Sequence, residues 1–239
     1  MDYLEGKRAI LFDLIDTLLW YDQSASHDHA DLARDAFQAI YGGDAEALAN
    51  FLGAYHTVRE RYLRQAKISL REVNFMARMR DTFAALSPGH LLPLDQFVAR
   101  YIGGYISQLS LPQGHRDLLG RLHGRYRTGL VTNFQHWPAI YCLLEHFELA
   151  KLFDAVVISG EFGWRKPHPA IFREALKRLD VEAEEAVFVG DDLEVDIKGV
   201  AACGMDVILL DRRGLYPGYA GLRVASLSEV ADILGVEKR

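Results

Sequence analysis

Apolar residues along this chain fall into two kinds of pattern. Five short, almost unbroken apolar runs, at 8–13, 126–132, 155–159, 186–190 and 206–210, are bounded by polar residues or glycine. Runs of that length without alternation predict strands buried on both faces of a parallel sheet. Helical spacing separates the last four. HWPAIYCLLEHFEL lies between the second and third runs, and PAIFREALKRL, with Pro169 near its start, lies between the third and fourth. This β–α–β alternation predicts an α/β fold built on a parallel sheet.

The interval between the first and second runs is far longer than one crossover helix requires. Residues 20–111 carry four helical patterns and no strand pattern, so a small helical bundle is expected as an insert. In its second helix Leu48, Phe51, Leu52, Tyr55, Val58, Tyr62 and Leu63 recur at helical spacing, leaving Arg59, Glu60, Arg61 and Arg64 mostly for the other face, read as solvated before Arg59, Arg61 and Arg64 are read as meeting an anionic substrate tail. Gly42-Gly43, Ser87-Pro88-Gly89 and Pro112-Gln113-Gly114 punctuate the insert. The expected division is therefore a core of residues 1–19 and 113–239 and a helical domain of residues 20–112.

In an open parallel sheet, ligands gather outside the carboxyl ends of the strands. The polar residues found there are Asp13, Thr132 with Asn133, and Asp191 and Asp192 followed by Asp196, while Lys166 precedes Pro167 after the third run. Read alone, the three later aspartates equally suit a helix N-terminus decorated with acids. Taken in order, FDLIDTL, LVTN, GWRKPHPAIF and VFVGDDLEVDIKG resemble the four motifs of the haloacid dehalogenase superfamily of hydrolases. The resemblance covers the whole core and the position of the insert.

That resemblance implies a Rossmann-like core with an inserted α-helical cap domain. It also implies Asp13 as a nucleophile that attacks phosphorus to give an aspartyl-phosphate. Asp13, Asp191 and the backbone carbonyl of Ile15 are implied as ligands of Mg²⁺, with Asp192 and Asp196 in supporting positions. Thr132 and the Asn133 backbone N–H are implied as phosphate donors and Lys166 as the charge-balancing cation. The chemistry agrees: a carboxylate attacking an anionic phosphate needs cations between them, and oxygen ligands suit Mg²⁺.

Ile15 departs from the motif. Phosphatases of the superfamily carry an Asp there that protonates the leaving oxygen, and isoleucine has no proton to give. Three readings stay open: a phosphohydrolase using a substrate group, Asp16 or a cap residue instead; a carbon–halogen hydrolase, whose halide leaves unprotonated; and a catalytically weak phospholigand-binding protein. A carbon–phosphorus route would need a cap lysine, and Lys67 is the only lysine of the insert. Asp16 replaces the usual glycine, a position that asks for left-handed backbone, which Asp tolerates.

Substrate choice is expected to lie in the insert, where Trp20, Tyr21 and Ser26-His27-Asp28-His29 follow the nucleophile loop. His27 and His29 read as a helix entry capped by Ser26 or Asp28 before they read as a metal pair. Phe134 and Trp137 are assigned either to a rim or to packing. A net charge of −6 argues against nucleic acid as a partner, and no run is long enough for a membrane span. Cys142 and Cys203 show no metal or disulfide spacing, so a cytoplasmic monomer or homodimer acting on a small phosphorylated molecule is expected.

Overall fold

The computed structural model describes residues 5–21, 28–86 and 93–236. Ser26, His27 and the Ser87-Pro88-Gly89 turn lie outside the described residues. The chain forms two compact units, residues 1–20 with 111–239, and residues 21–110.

The first unit is α/β. Its strands are β1 (Ala9–Phe12), followed, after two short strands of the insert, β2 (Trp20–Tyr21) and β3 (Leu109–Ser110), by β4 (Arg127–Thr132), β5 (Ala155–Ile158), β6 (Ala186–Gly190), β7 (Asp206–Leu210) and β8 (Arg223–Val224). The six core strands form one parallel sheet in the order β5-β4-β1-β6-β7-β8. Ala9, Ile10, Leu11 and Phe12 are all fully buried, which explains a run with no polar alternation: β1 is central and covered on both faces. The chain runs outward from β1 to β4 and β5, then returns to β6 on its other side, so β1 is the switch point at which a cleft opens.

Helices supply the covering layers. The core helices long enough to cover the sheet are α5 (His115–Leu122), α6 (Trp137–His146), α8 (Pro169–Leu179) and α10 (Leu227–Ile233), joined by the short α7 (Ser159–Phe162) and α9 (Lys198–Ala201), after α1 to α4 of the insert. In α8, Ile171, Phe172, Ala175, Leu176 and Leu179 form the buried stripe. His168 caps its start through Nδ1, accepting from the Ala170 N–H at 3.2 Å, and Pro169 occupies the first turn. The pattern read across 136–149 is not one helix. It stops at His146, and a left-handed Glu148 leads into a 3₁₀ turn at Ala150–Leu152.

The second unit holds α1 (His29–Tyr41), α2 (Ala45–Ser69), α3 (Phe75–Ala84) and α4 (Leu94–Ser107). Asp28, Asp44 and Asn74 cap the first three, accepting from backbone N–H groups of Ala30, Ala47 and Ala77 at 2.7, 2.7 and 2.9 Å. Each such cap contributes about 1 kcal/mol. One aromatic from each helix meets at the centre: Phe51 stacks on Phe37 at 4.4 Å between ring centroids and touches Phe83 and Phe97, each at 5.5 Å. The stripe actually buried on α2 is Phe51, Tyr55, Val58 and Ala66; Leu48, Leu52, Tyr62 and Leu63 are only half-covered. The sequence reading missed β2 and β3, which pair as a two-residue ribbon.

His29 begins α1 and places Nδ1 2.7 Å from the Tyr101 hydroxyl. Burial, reinforced by Arg59 and Arg78, pushes it down to about 4 against the pull of Asp28. A base depressed in the folded state loses stability as pH falls, because the unfolded chain takes up the proton first, near 6.5. The unit is therefore expected to lose on the order of 3 kcal/mol between pH 6.5 and about 4, seen as a falling urea midpoint. His29→Gln is expected to flatten that slope; an equally steep loss would assign it to other groups.

Candidate active site

Strand register brings the acidic residues to one end of the core sheet. Phe12 lies beside Leu130 on one side and Val189 on the other, so Asp13, Thr132 and Asp191 emerge together one or two residues farther on. Asp13 is the first residue beyond β1, its N–H bound to the Val189 carbonyl at 3.0 Å, and it is 7% exposed. Asp16 takes a left-handed φ of 66° and returns the loop by donating its N–H to Leu19 O at 2.7 Å.

Lys166 is the hub. Its Nζ lies 2.6 Å from Asp13 Oδ1 and 2.7 Å from Asp196 Oδ1, with the lysine itself 3% exposed. Burial opposes its charge, but the two carboxylates outweigh burial and hold the ammonium above the usual lysine range. Asn133 sets its backbone: the Asn133 Nδ2 donates to Lys166 O at 3.0 Å, and Lys166 N–H donates to Asn133 Oδ1 at 2.8 Å. That two-way clamp was not foreseen from the sequence, which had cast Asn133 only through its backbone. Thr132, buried at the end of β4, is brought to the same sheet end.

Asp192 and Asp196 separate in role. Asp192 caps a π-helical turn, Leu193–Ile197, accepting from the N–H groups of Glu194 and Val195 at 2.8 Å each. One of its oxygens therefore serves the helix start, where it satisfies orphan donors. One turn on, Asp196 points back to Lys166 and is 1% exposed. Ligand oxygens of Asp13, Asp191 and Asp196 all lie within 4.8 Å of one another. Burial, with Asp13, Asp196 and Asp16 beside it, pushes Asp191 up to about 8, Lys166 pulling the other way. Burial likewise holds Asp196 above the usual carboxylate range despite Lys166. Three crowded carboxylates with one lysine leave negative charge in excess, and the all-oxygen donor set fits a hard divalent cation such as Mg²⁺.

Thr17, fully buried, joins this cluster with Oγ1 3.5 Å from Asp13 Oδ2 and 3.4 Å from Asp191 Oδ1. Its sequence signal is its place one helical turn after Asp13 within FDLIDTL. Gly190 permits the close approach of Asp196: a Cβ there would stand 2.4 Å from Asp196 Oδ2. Gly190→Ala is expected to push Asp196 off Lys166, costing about 1–3 kcal/mol by overpacking and most of the activity. Unaltered unfolding and turnover in that variant would refute this account of the glycine.

The remaining candidates fall outside the cluster. Arg212 takes up Asp16, with Nε 3.3 Å from its carbonyl and Nη2 3.2 Å from Oδ1, and lies over the Trp20 ring at 4.0 Å. A carboxylate so engaged accepts hydrogen bonds, which counts against Asp16 as a displaced proton donor. Ile15 is half-buried and offers only its backbone. In the helical unit, Asp28 is the cap of the helix entry, while Lys67 and Arg64 are exposed and Arg61 pairs with Asp81 at 2.6 Å. Arg59 is half-buried, contrary to the solvated face expected for it. Phe134 donates its N–H to Ser159 Oγ at 2.9 Å, and Trp137, 41% exposed, packs only edge-on against Tyr141.

A family model described as haloacid dehalogenase-like hydrolase matches residues 7–204. The chain is 32% identical to the ribulose-1,5-bisphosphate 5-phosphatase of Halopiger xanaduensis, covering 85% of this chain and 84% of that protein. It is 31% identical to the glyceraldehyde 3-phosphate phosphatase of Methanopyrus kandleri, covering 87% and 85%. Among solved structures, a 2-haloacid dehalogenase from Pseudomonas syringae pv. Tomato DC3000 superposes with a TM-score of 0.73 at 24% identity, covering 96% and 98%.

Proposed function

This chain belongs to the haloacid dehalogenase-like hydrolases, and from that premise we propose that it hydrolyses a small phosphorylated metabolite with Asp13 as nucleophile. The observation that carries this reading is Lys166 held between Asp13 and Asp196 at 2.6 and 2.7 Å beside the carboxylate of Asp191. A lone catalytic carboxylate would be repelled by a phosphate; one placed in a cluster that also presents a buried cation is suited to meet it. Relatives named for ribulose bisphosphate and glyceraldehyde 3-phosphate support a substrate of sugar-phosphate size.

In this reading an Asp13 oxygen bonds to phosphorus as the bond to the leaving oxygen breaks. Water then attacks the aspartyl-phosphate, releasing phosphate and restoring the carboxylate. Lys166 balances the charge of Asp13 and of the transferring group, held in place by Asn133. Thr132 Oγ1 and the Asn133 N–H bind phosphate oxygens. Asp13, Asp191 and the Ile15 carbonyl would hold Mg²⁺. Bound there, the ion offsets the repulsion between carboxylate and phosphate. The helical unit serves as the cap that reads the rest of the substrate.

The weak point is proton delivery to the leaving oxygen, since Ile15 supplies none. A general acid contributes about 10²–10⁴ in rate, so Ile15→Asp is expected to raise turnover of alkyl phosphates at least about tenfold. An unchanged or lower rate would place the proton donor elsewhere. The same isoleucine favours one other reading, carbon–halogen hydrolysis, where the leaving halide needs no proton. A panel of phosphate esters and 2-haloacids, each with and without Mg²⁺, separates the two. Phosphate release that depends on Mg²⁺ is the expected result; halide release without Mg²⁺ overturns the proposal.

A further inference from the structure

Within the helical unit two arginines, Arg59 and Arg78, meet no acid among the described residues. Arg78 falls on the apolar stripe of α3, between Phe75 and Thr82, and is buried with them at 3% exposure. Its guanidinium lies 5.0 Å from the Phe75 ring centroid and 5.9 Å from that of Tyr55. Its Nε is inaccessible and has no hydrogen-bond partner among the described residues, and the Nε of Arg59 is in the same condition. Among the described residues no carboxylate reaches either arginine at ion-pair distance; Asp81, close by in sequence, is taken by Arg61 and Tyr62 at 2.6 and 2.9 Å.

The Tyr55 ring that faces Arg78 belongs to a chain of neutral polar groups. The Tyr55 hydroxyl lies 3.3 Å from that of Tyr101 and 3.2 Å from His29 O, and the Tyr101 hydroxyl lies 2.7 Å from His29 Nδ1. Arg59 follows Tyr55 by one turn of α2, and the Arg78 guanidinium lies 5.9 Å from the Tyr55 ring, so both arginines stand beside Tyr55; their charges are also felt at His29 and Tyr101. Buried charge is costly unless paired, and for Arg78 the ring faces offset only part of that cost. Among the described residues no acceptor with negative charge meets the two arginines, and a guanidinium fork matches the paired oxygens of a carboxylate or phosphate.

We propose that Arg59 and Arg78, with the hydroxyls of Tyr55 and Tyr101 and the ring of His29, form an oxyanion-binding site inside the helical unit, taking a carboxylate or phosphate group. The site is separate from the Asp13 cluster and stands whether or not that cluster hydrolyses phosphate esters. The bound group comes either from a free anion or from a charged part of a larger ligand.

The full chain carries the test. Arginine Nε–H resonances, assigned through Arg59→Lys and Arg78→Lys, are followed while inorganic phosphate or malonate is added. The Arg59 and Arg78 signals are expected to move saturably with at least one anion, and Arg78→Lys is expected to weaken the affinity seen at Arg59 about tenfold or more with circular dichroism unchanged. Signals that stay fixed with both anions overturn the site, as does an Arg78→Lys affinity equal to that of the native chain. Kinetics then identify the source. If Arg78→Lys shifts the KM ratio between 2-phosphoglycolate and a neutral-tailed phosphate ester about tenfold, the oxyanion belongs to the substrate. An unshifted ratio with saturable resonance changes assigns the site to a free anion. Failure of the chain to hydrolyse any ester would reject the proposed activity and leave the resonance result to decide this site.

Discussion

Asp13→Asn is expected to lower phosphate-ester turnover by about four orders of magnitude or more while leaving the fold in place. The amide keeps the size of the carboxylate and still offers Lys166 Nζ an oxygen, so the 2.6 Å contact has a substitute. What it loses is the oxygen nucleophile, since a neutral amide does not attack phosphorus. Removing one charge also relieves Asp191, which Asp13 helps to push up. Single-turnover phosphate release and acid-quench trapping of a phosphoenzyme would read the effect, with circular dichroism as the control for folding. Residual turnover above about a hundredth of the native rate would show that Asp13 is not the attacking group.

Lys166→Met is expected to destabilise the core unit by about 3–5 kcal/mol at neutral pH and to abolish turnover. The side chains of Lys166, Asp13 and Asp196 are 2%, 9% and 2% exposed, so removing the lysine strands two carboxylates out of reach of bulk water. Methionine fills the volume but leaves the charges unanswered. The pH dependence has a definite sign. Burial already holds Asp196 above the ordinary carboxylate range, and without Lys166 it rises further. A carboxyl whose pKa is raised on folding costs stability as pH rises, so the deficit of the variant shrinks on acidification toward the carboxylate range. Urea unfolding at pH 7 and pH 5 would read this, and Lys166→Met with Asp196→Asn is expected to recover part of the loss. A single variant as stable as the native chain at pH 7 would mean that the lysine does not neutralise the pair.

Much of the core was legible because the physics that builds it is local. Ala9 to Phe12 and Ala186 to Gly190 are wholly buried, and a strand covered on both faces has to be apolar throughout, so the runs could be read directly. Asp13, Thr132 and Asp191 stood out as the polar residues that end those runs. The first helix of the insert was announced by Asp28 before it, whereas Asp44 and Asn74, which cap the next two, were recognised only in the structure. Two-residue strands such as β2, β3 and β8 have no period to detect, and they were missed.

The pairing of functional groups was less accessible. Asp192 and Asp196 are the same residue type four positions apart, yet one caps a helix and the other grips Lys166; the π-helical turn between them makes the choice. Asn133 holds the backbone of a residue 33 positions away, a contact that exists only once β4 and the segment after β5 are neighbours. Arg78 sits at a core position of α3, where a charged residue reads as an exception until the Tyr55 ring of α2 is known to face it.

The sequence by itself determined the parallel α/β core, the helical insert and the sheet end at which Asp13, Thr132, Lys166 and Asp191 would be found, because strand burial and chain direction are written in local pattern. Only the tertiary structure decided which carboxylates share Lys166, which one caps a helix, and which arginines meet no acid among the described residues. Electrostatic pairing depends on distances of a few ångströms between residues far apart in the chain, and burial sets its strength; both arise only when the layers pack.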